Sequence, residues 1–105
     1  MASRRIEARN LPESPLDAAA AFAVRIVPQV REAVGEDRVV LFDAADHTHK
    51  KWRLAMVEEL AREAAPSRLN AIVGSPGEAV DQVVRWLEEA PGVTGQVLVV
   101  ANAKP

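Results

Sequence analysis

The spacing of hydrophobic positions changes several times along the chain. Arg5 to Leu11 alternates, which fits a first strand, and Pro12-Glu13-Ser14-Pro15 breaks it. From Leu16 to Val34 the period becomes helical, with Ala20, Ala23, Val24, Val27, Val30 and Val34 on one face. Ser14 stands where an N-cap belongs, Pro15 suits the first turn, and Asp17 complements the positive end of the helix dipole. Pro28 has no backbone donor and predicts a kink, and Gly35 ends the helix. Arg38 to Phe42 is a short apolar strand. Asp43 to Asp46 turns the chain into a second helix that runs to about Ala64, with Leu54, Val57, Leu60, Ala61 and Ala64 on its inner face; Pro66-Ser67 closes it. Leu69 to Val73 is another buried strand. In Gly74-Ser75-Pro76-Gly77-Glu78, Ser75 fits an N-cap, Pro76 the first helical position and Glu78 the reciprocal capping partner. The third helix continues to about Glu89, with Val80, Val83, Val84 and Leu87 inward. Pro91-Gly92 stops it before a last strand, Gln96 to Val100.

Every connection between these strands carries a helix, so the sheet is expected to be parallel and covered on both faces. The pattern predicts one α/β domain over residues 1–105, a sheet of three to four strands with three main helices. Composition narrows the rest. With no cysteine there is no disulfide framework and no thiolate chemistry, which suits a cytoplasmic protein. No apolar run follows the charged first residues as in a signal peptide, and none approaches the ~20 residues of a membrane span. A net charge of −2 and four aromatic residues argue against a nucleic-acid surface.

Order and local sequence together point to a family. Arg68-Leu69-Asn70-Ala71-Ile72 resembles the penultimate core strand of the short-chain dehydrogenases/reductases, and Val93-Thr94-Gly95-Gln96-Val97-Leu98-Val99-Val100 resembles their final strand. Val83 to Glu89 resembles the helix before that "TGQ" element. Leu60-Ala61-Arg62-Glu63 resembles the end of the helix that bears the family's catalytic lysine. Val27-Pro28-Gln29-Val30-Arg31 resembles the proline-containing helix before it, and Arg38-Val39-Val40 the strand between the two. The similarity spans roughly residues 18–100 and implies the C-terminal half of a dehydrogenase: a small three-layer Rossmann-like half fold.

The resemblance also implies which chemistry is missing. The family pairs a tyrosine, which exchanges a proton with the substrate oxygen, with a lysine four residues on that lowers the phenol pKa. Aligned from Leu60, these positions carry Asp46 and Lys50, and the chain has no tyrosine at all. The spacing lets Asp46 and Lys50 form a helical ion pair. The family's carbonyl-polarising serine falls in a shortened Asp43-Ala44-Ala45 stretch. The glycine-rich pyrophosphate turn belongs to a half outside this sequence. Gly74, Ser75 and Gly77 are the remaining cofactor-contact candidates, because the family's loop after this strand touches the nicotinamide end. No catalytic residue and no cofactor is therefore expected. Nor is a metal: His47 and His49 lie two apart, off a common helix face, with no other histidine or cysteine to join them.

In the family, the counterparts of helices 16–34 and 47–64 pack against their twins across a two-fold axis. Here Phe22, Ile26, Trp52 and Met56 widen the apolar faces of these helices beyond one sheet contact, and they are expected at a homodimer seam. The expected role is a non-catalytic interaction module. Two alternatives are an accessory subunit that completes a separate protein carrying a nucleotide-binding half, with a full-length short-chain dehydrogenase-type protein as a further partner, and a nucleotide-binding relative within such a system.

Overall fold

A computed structural model describes residues 3–100. The strands are β1 (Arg4–Ala8), β2 (Arg38–Phe42), β3 (Leu69–Val73) and β4 (Val97–Val99). They form one parallel sheet in the order β1-β2-β3-β4, so the first strand is real and is an edge. The helices are α1 (Pro15–Arg25), α2 (Val27–Glu32), α3 (Lys50–Ala64) and α4 (Glu78–Glu88). The arrangement is α/β and Rossmann-like, with α1 to α3 on one face and α4 on the other.

The sheet register explains the two layers. Ile6, Val40 and Ala71 are successive partners across β1, β2 and β3, as are Ala8, Phe42 and Val73. These residues join Phe22, Ile26, Val30, Val57 and Leu60 in the larger core. Val39, Leu41 and Ile72 point the other way and meet Val80, Val84 and Leu87 of α4. The strand order advances in one direction at every step. Moving α4 to the second face therefore gives the β3–β4 crossover the opposite hand to the two before it, a departure from the usual right-handed rule. Cover on that second face is incomplete: Arg5 and Glu7 of β1 stay exposed there, and Arg5 reaches Asp81 of α4 at 2.7 Å.

Three local expectations need correction. Pro28 does more than kink the first helix; it divides it into α1 and α2 at Ile26, because it cannot donate to the carbonyl one turn back. The buried stripe is Ala18, Phe22, Ile26, Val30 and Ala33, whereas Val24 and Val34 are 75% and 80% exposed. The phase expected from Val24 and Val34 is thus rotated, since the bulkiest side chains turn inward. The Ser75–Glu78 capping box is also absent. Gly77, at φ 156°, occupies the N-cap and α4 begins at Glu78. That backbone conformation favours a residue without Cβ.

Gly74 is small for a different reason. A Cβ built there would sit 2.5 Å from Val100 Cγ2 and 3.4 Å from Val80 Cγ2. Val100 is β-branched and buried, so it cannot swing away freely. Gly74→Ala is expected to destabilise the protein by about 1–3 kcal/mol through overpacking, read as a lower urea midpoint with an unchanged m-value.

The "TGQ" element has a structural task. Gly95 N–H donates to Leu69 O at 2.7 Å, and Leu69 N–H donates to Thr94 Oγ1 at 3.1 Å. Asn70 Oδ1 accepts from Gln96 N–H at 3.0 Å, while its Nδ2 donates to Val93 O at 3.0 Å. These bonds lash the start of β4 to β3 and set the register in which Val97, Leu98 and Val99 pair with Ala71, Ile72 and Val73.

Candidate functional site

The carboxyl ends of parallel strands are where open α/β sheets take their ligands. Here Arg9, just past β1, spans that end. Its Nη1 donates to Gly74 O at 2.6 Å, Phe42 O at 3.0 Å and Asp43 Oδ1 at 3.2 Å, and its Nε donates to Glu7 Oε1 at 3.0 Å. The carbonyl that ends β2 and the one just past β3 are thereby occupied by one guanidinium. Asp43, in the stretch aligned with the family's serine, also accepts from Asn10 N–H at 2.9 Å. Asn10 holds φ 57°, a left-handed conformation that asparagine tolerates. Asp43 therefore ties the β1 and β2 exits together and offers no hydroxyl to a substrate.

The tyrosine position is equally altered. Asp46 caps a 3₁₀ turn, His47–His49, that precedes α3. Its Oδ1 accepts from Thr48 Oγ1 and from Thr48 N–H at 2.9 Å. The Thr48 hydroxyl, and then the Thr48 N–H, hold the Asp46 carboxyl below the usual carboxylate range. The ion pair with Lys50 does not form among the described residues. Its absence follows from the turn: α3 starts at Lys50, so Asp46 lies outside the α-helix, and its oxygen is taken by Thr48.

Of the weaker cofactor candidates, Gly74 gives its carbonyl to Arg9, Gly77 is the α4 N-cap, and Ser75 is exposed without a capping bond. Among the described residues no group of three His, Asp or Glu could hold a metal. His47 is exposed. His49 is buried, with Nδ1 accepting from Trp52 Nε1–H at 2.9 Å and Nε2 donating to Glu13 O at 2.8 Å. Trp52 Nε1 can only donate, which fixes the Nε2–H tautomer and spends both ring nitrogens on structure.

The residues expected at a dimer seam need a partial correction. Phe22 is 0% and Ile26 2% exposed, both inside the core of one chain. Phe22, Phe42 and Trp52 form an aromatic cluster with centroids 5.5–5.8 Å apart. Trp52 and Met56 are half-buried against that core. On these helices the large apolar side chains that do face outward are Leu16, Val24 and Leu54.

Sequence reasoning also missed Arg53. It is 7% exposed, on the buried stripe His49, Arg53, Val57, Leu60. Its guanidinium stacks on Phe42, with Cζ 4.4 Å from the ring centroid, and lies 5.9 Å from that of Trp52. Cation–π contact offsets some of the desolvation. Yet Nε is buried without an acceptor, and no hydrogen bond runs from this side chain to any described residue. Burial holds its pKa below the usual arginine range, while the Asp43 carboxylate pulls the other way. The one sequence signal was position: 53 lies four residues after His49 and four before Val57.

Arg53 lines two cavities, as do Ala45, Asp46 and His49. A polar one of about 410 Å³ is lined by Asn10, Glu13, Asp43, Asp46 and His49 among others. An apolar groove of about 320 Å³ runs between α3 and β4, walled by Leu54, Val73, Val97 and Val99, with Lys50 and Arg53 at one end.

A parallel half-sheet with "TGQ" at its final strand, Lys50 at the head of α3 and neither tyrosine nor serine beside it defines a Rossmann-like domain related to short-chain dehydrogenases. The SDR-like family model, described as short chain dehydrogenase-like protein, matches residues 6–100, and the chain belongs to that family. No curated protein and no solved structure matches it.

Proposed function

We propose that this protein is a non-catalytic SDR-like module that works by association and carries out no hydride transfer. The observation that supports this most directly is Asp46. A carboxylate already accepting two bonds from Thr48 and held in its ionised form has no proton to deliver to a ketone oxygen. Arg9 adds to the argument by filling the strand ends where a nicotinamide would approach. Lys50 remains, but without a phenol it has nothing to activate.

The partner proposed is a second copy, docked through helices 16–34 and 47–64. The outward apolar set is now Leu16 and Val24, together with the half-buried Trp52 and Met56. An accessory role beside a full-length dehydrogenase is less favoured at β1, because Arg4, Arg5 and Glu7 charge that edge and discourage a joining strand. No described helix is long and apolar enough to cross a membrane. The lack of cysteine supports a reducing compartment such as the cytoplasm.

The purified chain is expected to give no saturable heat with NADH or NADPH and no cofactor-dependent carbonyl turnover. Cofactor-dependent turnover abolished by Lys50→Met would overturn the proposal. Light scattering at tens of micromolar is expected to give about twice the 11.4 kDa chain mass. Val24→Glu with Leu16→Glu should halve it. A wild-type mass of one chain would sink the dimer.

A further inference from the structure

We propose that the groove between α3 and β4 binds a small amphipathic carboxylate, its head on Arg53 and its aliphatic tail along Leu54, Val73, Val97 and Val99. The head assignment starts from an imbalance. Arg53 is more than nine-tenths buried, yet its guanidinium donates to no described residue and its Nε faces no acceptor. Nε is the enclosed nitrogen of the fork, and an enclosed donor without an acceptor is costly; the Nη groups are not enclosed and are left to whatever enters the cavities beside them. The cation is also held in place, sandwiched against Phe42 and beside Trp52, so its fork is oriented before any ligand arrives. A planar guanidinium matches a carboxylate or a phosphate in bidentate fashion.

The groove decides between those anions. Its walls beyond Arg53 are aliphatic, and Val99 and Leu54 are 58% and 38% exposed along it. An inorganic phosphate would leave that surface wet, whereas an organic acid with a straight alkyl chain covers it. The charged and titratable groups at the head are Arg53, Lys50, His47, His49 and Asp46. Both His49 nitrogens are engaged; the ionised Asp46 is bound to Thr48 and Asp43 acts on Arg53, so Arg53 and Lys50 are the two permanent cations an anion meets, set against these two carboxylates. At about 320 Å³ the groove is at the small end of ligand sites, which run from roughly 300 to 1,000 Å³; it suits a medium-chain acid rather than a dinucleotide. This site goes beyond the non-catalytic reading and does not depend on it, since its ligand needs no phenol and no cofactor.

The test is a titration of the full chain with octanoate, followed by Trp52 emission in a Trp86→Phe background and repeated by calorimetry on the native sequence. Trp86 is exposed on α4, on the opposite face of the sheet, so its removal leaves the groove untouched. Saturable octanoate binding is expected, with octanol and inorganic phosphate each at least tenfold weaker. Arg53→Leu is expected to lower octanoate affinity at least tenfold while the melting temperature holds or rises, a combination that loss of a merely structural arginine does not give. Val99→Asp should weaken octanoate and leave the fold intact. The proposal is overturned by non-saturable octanoate, by octanol or phosphate binding as tightly, or by an Arg53→Leu chain that binds as the wild type does. None of those results alters the cofactor experiment above.

Discussion

Phe22→Ala is expected to remove about 3–5 kcal/mol of stability, a large part of what a domain of this size has. Phe22 is fully buried, stacks on Phe42 with centroids 5.5 Å apart and meets Trp52 edge-on at 5.5 Å. Truncation opens a cavity where α1, β2 and α3 converge, and the neighbours cannot collapse into it. Phe42 is fixed on a central strand, and Trp52 is held by its bond to His49. Urea unfolding should show a midpoint lower by about 1–5 M, given slopes of roughly 1–3 kcal/mol/M. The loss should not depend on protein concentration. Were Phe22 a seam residue, the midpoint shift would vanish on dilution, where dimers contribute nothing. Phe22→Leu keeps most of the volume and should lose much less, which keeps the comparison measurable if the alanine chain fails to fold.

The same residue shows where sequence pattern succeeds and where it stops. Strand boundaries were legible because short β-branched runs sit between Gly and Pro punctuation, and the helical connections forced parallel pairing. Helix phase was not. Val24 and Phe22 are two apart, so each belongs to a plausible apolar stripe, and only the packing of Phe22 on Phe42 decides between them. Asp46 and Lys50 were singled out through the family motif. Their separation was not readable, because a 3₁₀ turn in place of the first helical turn is set by the Thr48–Asp46 bonds, which leave no periodic trace. The arginines were the larger gap. Nothing in the hydrophobic pattern marks Arg9, Arg53 and Arg68 as inward-facing, since arginine is seldom buried. Each is instead drawn in by acceptors or rings brought together from distant strands: Phe42 and Gly74 for Arg9, Phe42 for Arg53, Asp37 for Arg68.

Arg68→Ala carries the second large expected effect, about 2–4 kcal/mol. The side chain sits where β3 begins and α4 ends. Its Nη1 donates to Leu87 O and Ala90 O, both at 2.7 Å, and its Nη2 and Nε reach Asp37 Oδ2 at 2.9 and 3.2 Å. The last carbonyls of a helix have no donors within the helix, and a cation there also opposes the negative end of its dipole. Alanine would leave Leu87 O and Ala90 O with one backbone donor each, from Ala90 and Val93, and strip one partner from a part-buried carboxylate. Acid titration separates the contributions. Arg68 N–H, donating at 2.8 Å, is the leading cause that holds the Asp37 carboxyl below its ordinary value, with the guanidinium adding to it. A depressed folded pKa means the stabilisation is fully present above the unfolded value near pH 4 and is lost as pH falls through the lower folded value. In Arg68→Ala this acid loss should shrink but persist, because the backbone N–H remains. In Asp37→Asn the Asp37 contribution to the acid loss should disappear. Melting curves between about pH 2 and 7 measure both, and an acid dependence in Arg68→Ala as steep as the wild type's would remove the guanidinium from this account.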